Sequence, residues 1–286
     1  MISMLKVEAL YPARDLLSRW CVPTFPGSDN ASLPTQARLT TLGAMRVGHG
    51  AEPATNERSP LGVALILSGS LILVGLIVNA VQRGLFHPTG AADHHDEIFT
   101  KYAASQAWIA THLAEFLLVL VALAGLLVLC TVLREHTPTL ALLAASAIIA
   151  TAAIWAALQA VDGVTLKQAV DAWAAAPEVD RATRFADAEV VRWAEWGLQS
   201  YFRVLLGVAL LLAGAAILLS RLMSRWLGVL LLLGGLLSLL IGFSVGYAGL
   251  ESPFQDVATI AFQLVILVFA VGLLAAGVRA QKANRR

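Results

Sequence analysis

Apolar residues run along this chain in six uninterrupted stretches, at 61–82, 108–133, 140–160, 201–220, 226–247 and 257–278. Each is long enough to cross a hydrocarbon core as a helix, which takes about 20 residues. Barrel strands would alternate over about 10 residues, and none of these stretches alternates. In lipid the backbone must bond to itself, so continuous runs of this length predict helices. Pro60, Pro138 and Pro253 stand just before the first, third and sixth runs, where proline suits a first helical turn. The predicted fold is therefore all-α, a polytopic membrane bundle of six transmembrane helices.

The polar segments divide the rest of the chain. Residues 1–60 hold Pro, Ser, Thr, Asn and Arg without a sustained apolar run, and read as a polar, disordered leader. Met45 offers a later start, which would make the first 44 residues dispensable. Residues 61–280 form the membrane domain, with two long loops at 83–107 and 161–200 and a basic tail at 281–286. In the second loop, Leu166, Val170 and Trp173 recur at helical spacing and predict a short helix lying on the membrane surface. Pro177 predicts the start of another helix, which can run on into the fourth span. Around His94 the first loop can begin a helix capped by Asp93 or Asp96.

Composition agrees with the pattern. The chain is 58% hydrophobic and only 14% charged, where a soluble domain carries about 25%. A net charge of +1 gives no field to attract nucleic acid, so the expected partner is the lipid bilayer. Lys and Arg set orientation. The leader, the short turns at Arg134, Arg221 and Arg225, and Arg279 with the tail carry 13 basic residues, against 6 in the two long loops. That predicts both termini in the cytoplasm and both long loops outside. Cys21 and Cys130 form no framework or C-x-x-C pair.

Small residues shape the packing expectation. The third span is rich in Ala, with Ser146 and Thr151, and is expected at the centre of the bundle. Gly242 and Gly246 form a small-xxx-small pair, which serves either packing within the chain or a homodimer.

Ionisable residues inside a membrane are costly and mark functional candidates. They gather at the outward ends of the second, third and fourth spans. His112 and Glu115 share one helix face, and Asp162 closes the third span. Glu195, Gln199 and Arg203 recur every four residues as a polar stripe leading into the fourth. These six are the candidate catalytic residues. The pairing expected from depth joins Glu115 to Arg203, with His112 and Gln199 beside them. His87, His94, His95, Asp96, His112 and Glu115 are ligand types for a divalent metal. Their spacing matches no recognised metal motif, and the Asp93–Glu97 run also reads as a solvated loop. No nucleotide-binding, hydrolase-elbow or zinc-protease motif occurs.

The segments Phe86-His87-Pro88, Tyr102-Ala-Ala-Ser, Trp108, His112, Ala160-Val161-Asp162-Gly163 and 193–203 resemble those of six-span membrane proteins of high-GC bacteria with no known activity. The resemblance implies a bacterial plasma membrane and starts after Ser59. Three functions then compete. A structural or accessory membrane protein needs least. An intramembrane enzyme acting on a lipid or prenyl-like substrate at the outer leaflet would use the six polar residues. A small transporter fits least, because the inward halves of the spans are almost free of polar residues.

Overall fold

The computed structural model describes residues 59–90 and 92–285. The leader up to residue 58, with Met45 and Cys21, lies outside the described residues. The described part is helical, and six of its helices are long and apolar enough to cross a membrane. They are α1 (Pro60–Phe86), α3 (Trp108–Leu133), α4 (Pro138–Ala160), α6 (Glu178–Ser220), α7 (Arg225–Ala248) and α8 (Pro253–Asn284). Two shorter helices, α2 (His95–Ala104) and α5 (Lys167–Ala174), complete the set. A π-helical turn, Val161–Leu166, joins α4 to α5.

Each spanning helix packs on its neighbours in sequence order, and α8 returns to pack on α1. The six therefore form a closed ring. The Ala-rich α4 sits in the ring wall between α3 and α6, not at a centre. Its Ala141 and Ala144 are buried while Leu142 and Ile149 are exposed to the surroundings. Small residues let it approach both neighbours, but no helix fills the axis.

The ring closes at the end where α1 begins and α8 finishes. A Cβ on Gly62 would lie 2.9 Å from the Gly277 carbonyl, so the two backbones touch. Ser59 and Gln281 exchange two hydrogen bonds there: the Ser59 amide donates to Gln281 Oε1 at 3.1 Å, and Gln281 Nε2 donates to the Ser59 carbonyl at 2.9 Å. Gly242 and Gly246 are used in the same way. A Cβ on either would meet Ser200 on α6, at 3.0 Å from its carbonyl and 2.9 Å from its hydroxyl. Within the chain both glycines therefore serve the packing of α7 on α6.

Trp226 and Tyr247 are exposed aromatic residues on α7, 75% and 93% exposed and near its opposite ends. The 21 residue steps from one to the other correspond to about 32 Å of helix, close to the thickness of a hydrocarbon core. Exposed Trp and Tyr at that separation suit the two interfaces.

At the end away from the termini a second apolar cluster forms a cap. Ile98, Phe99, Tyr102, Trp108, Leu166, Val170 and Ala188 are its buried members. The stripe of Leu166, Val170 and Trp173 faces this cluster instead of lying on the membrane: Leu166 and Val170 are fully buried. An amphipathic stripe is satisfied equally by lipid or by protein, and here α2 and the first half of α6 provide the protein. α6 runs unbroken for 43 residues from cap to membrane. Neither Asp93 nor Asp96 caps α2; His94 stands at that position without a side-chain cap bond.

Candidate functional site

The ring encloses a cavity of about 860 Å³ to which all six spanning helices contribute. It runs from beneath the cap to Ile72, Leu126, Leu210 and Phe269. Beyond those residues Leu129, Leu133, Ile217, Leu231 and Leu273 are fully buried. The cavity is therefore closed towards the termini. Its wall opens to the side between the capped-end halves of α1 and α8. There Ala80 and Gly84 of α1 and Asp256, Ile260 and Gln263 of α8 all line the cavity while remaining exposed. The volume lies within the usual 300–1,000 Å³ of small-molecule sites.

Its two ends differ in chemistry. Leu76, Leu123, Leu206 and Ile266 join the apolar residues named above. Towards the cap, Arg83, His87, Asp162, Arg192, Glu195, Gln199 and Arg203 line the same space. Three of the expected residues, Glu195, Gln199 and Arg203, therefore share one wall of α6, as their spacing requires.

Glu115 is buried between α3 and α1, where its Oε1 lies 3.4 Å from Arg83 Nη1. The contact is an ion pair without hydrogen-bond alignment. The expected pairing of Glu115 with Arg203 is not formed. In the ring α4 separates α3 from α6, and Arg203 instead turns towards α8. Its guanidinium carbon stands 5.4 Å from the Phe262 ring and 5.9 Å from the Phe202 ring. Arg83 was legible only as a loop residue, one position past the first apolar run; it belongs to the last turn of α1.

His112 pairs with Asp162 across α3 and the π turn, Nε2 to Oδ2 at 3.1 Å. Its other nitrogen, Nδ1, lies 2.9 Å from the Trp108 carbonyl. A carbonyl only accepts, and so does a carboxylate. Both contacts are satisfied only if the pair holds one proton more than a neutral imidazole and a carboxylate. The proton sits either on the imidazole or on Asp162. Gly163 makes the approach possible, since a Cβ there would lie 2.6 Å from the His112 Cβ. The Trp108 indole donates to the Asp162 carbonyl at 3.1 Å, fixing the π turn to α3. Such turns occur often at functional sites.

Arg192 and Glu195 form a buried pair at 2.5 Å on α6, and Arg192 lies 5.6 Å from the Tyr102 ring. Burial pushes the Tyr102 phenol well above its usual range. His87 stands between the cavity and the cap, with its ring 5.4 Å from that of His112. Burial first, then the Arg83 guanidinium and His112, hold its pKa down to about 4. It is therefore a neutral imidazole near neutral pH.

The metal-type residues do not converge. His94, just before α2, and Asp96 on it are exposed. His95 bonds Glu189 at 2.9 Å, apart from the His112 and Asp162 pair. Among the described residues no group of three His, Cys, Asp or Glu side chains could hold a metal ion. Asn79, Gln255 and Gln263 also line the cavity. As isolated polar residues near span ends they gave no pattern in sequence.

A family described as a domain of unknown function, DUF4386, matches residues 62–277. The chain belongs to the DUF4386 family. No curated protein and no solved structure matches it. The DUF4386 match begins and ends at Gly62 and Gly277, the two residues that bring α1 against α8. The cavity and its cap thus lie wholly within the DUF4386 domain, and the leader lies outside it.

Proposed function

We propose that this integral membrane protein binds an amphipathic, lipid-like molecule in its central cavity, with the chain among the spans and the head beneath the cap. The observation that carries this reading is the division of one cavity into an apolar end and a polar end, with a side opening between α1 and α8. Lipid-facing entry suits a ligand already dissolved in the bilayer. The uncharged amphiphile dodecanol tests it. It should raise the melting midpoint of the purified protein, since a ligand that binds only the folded state stabilises it. Leu210→Trp, which fills the apolar end, should remove that shift. An equal shift in both proteins would defeat the reading.

The Lys and Arg distribution supports placing the cap outside the cell and both termini in the cytoplasm of a bacterial plasma membrane. Single cysteines at positions 94 and 223, in a cysteine-free background, test this orientation. Labelling of position 223 by an impermeant reagent in intact cells would refute it.

One observation favours a second reading, in which the bound molecule is also transformed. Asp162 lines the cavity and pairs with His112, and a proton held by that pair would supply the acid or base an intramembrane enzyme needs. His112→Gln would then keep binding and lose turnover. Loss of binding alone would leave the pair a structural role.

A further inference from the structure

We propose that the head of the bound molecule is an anion, a phosphate monoester or a carboxylate, held between Arg203 and Arg83. This rests on the amphipathic-ligand reading above and specifies its ligand class.

The charges around the cavity lead to it. Arg192 is matched by Glu195, and Asp162 by His112. Arg83 reaches Glu115. Among the described residues Arg203 has no carboxylate within ion-pair distance, and its buried Nε makes no hydrogen bond. Arg83, a second cation, lines the same cavity. Asp256 also lines the cavity without an ion pair. It lies six residues nearer the cap than Phe262, about 9 Å along α8, at the side opening.

A cation inside a span is expensive, and natural ones pair or face a cavity. The Phe262 and Phe202 rings offset part of that cost. They leave the hydrogen-bonding edge of the guanidinium without an acceptor. Arg83 retains donors as well: its side chain is 53% exposed, and its contact with Glu115 is not aligned. Each guanidinium carries five N–H donors in a fixed fork that fits carboxylate or phosphate oxygens. Gln199 and Gln263 line the same space and add neutral donors. Arg203 stands one turn above Leu206 and two above Leu210 on the cavity wall of α6. An anion there therefore has its chain directed into the apolar end.

The test compares dodecyl phosphate, dodecanoate, dodecanol and inorganic phosphate as stabilisers of the purified full chain in a nonionic detergent. Dodecyl phosphate or dodecanoate should stabilise the protein at concentrations at least about tenfold below dodecanol, as bonds to charged groups imply. Arg203→Gln should abolish that advantage and leave the dodecanol shift intact. Arg83→Gln should reduce it, and Arg203→Lys should keep part of it, so a poorly folding Gln variant does not leave the question open. Equal shifts from the anionic compounds and the alcohol, unchanged by Arg203→Gln, would overturn the anionic head while the amphipathic-ligand reading stands. The full shift from inorganic phosphate alone would overturn a chain-borne anion in favour of a free one. No shift from any chain-bearing compound would take down the underlying reading as well.

Discussion

Arg83 of α1 and Glu115 of α3 approach to 3.4 Å across a helix interface, with the carboxylate almost fully buried. Breaking a fully buried pair costs about 3–5 kcal/mol. Arg83 is half-exposed, so the expected loss is about 1–2 kcal/mol after solvent screening. Glu115→Gln and Arg83→Gln should each lower the melting midpoint, and the double variant should regain part of the loss. Glu115→Gln combined with Arg203→Gln should be additive instead. Coupling in the second cycle but not the first would place the ion pair elsewhere.

Arg203 predicts the opposite sign. A residue kept for a ligand and left without a counter-ion strains the ligand-free protein. In the absence of added amphiphile, Arg203→Gln should therefore leave stability unchanged or raise it, by up to about 1–3 kcal/mol. Thermal denaturation of extensively delipidated protein measures this. A clear loss of stability would mean that the guanidinium is a structural element of the bundle.

Gly163 is predicted to be intolerant of the smallest substitution. Its missing side chain leaves the space taken by His112, and overpacking of this kind costs about 1–3 kcal/mol. Gly163→Ala should destabilise the protein and shift the His112 imidazole resonances in a nitrogen-15 spectrum. Unchanged resonances would show that α3 and the π turn are not held as tightly as the 2.6 Å approach requires.

His87 gives a pH dependence with a defined sign. Its folded pKa of about 4 lies below the ordinary 6.5, so the unfolded chain binds its proton first. Stability from this group is complete above about 6.5 and is lost as pH falls towards 4. Arg83, His112 and Asp162 are the charged and titratable groups that act on it. The comparison that isolates His87 is therefore the wild type against His87→Gln. The variant should lose less stability between pH 7 and pH 4.5. Parallel curves would assign the acid sensitivity to the other groups.

The spans were legible because continuous apolar length is a sufficient signal for a membrane helix. Their capped ends were not, because the signal fades where polar residues enter. Arg83 therefore read as loop, although it forms the last turn of α1. Pro177 and the Glu195, Gln199 and Arg203 stripe carried enough periodicity to reveal that α6 continues into the membrane. The partner of Glu115 was beyond reach for a different reason. Depth along a helix follows from sequence position, but the order of helices around a ring does not. With α4 between α3 and α6, two residues at matching depth face different neighbours. The stripe on α5 likewise fixed a helix but not what covers it. The cavity left no trace in hydropathy, since its apolar wall reads like any lipid-facing surface.

With the proposed amphiphile as its occupant, a chamber shut towards the termini and open along one flank would exchange its contents with a single leaflet. Its occupant need not carry a polar head through the hydrocarbon, so filling and emptying require no flip-flop. Occupancy then follows the abundance of the right molecule in that leaflet by mass action. At a hundredfold excess over the dissociation constant the folded state gains about 2.7 kcal/mol. The lifetime of the protein in the membrane would thus register the composition of one sheet of lipid and be blind to the other.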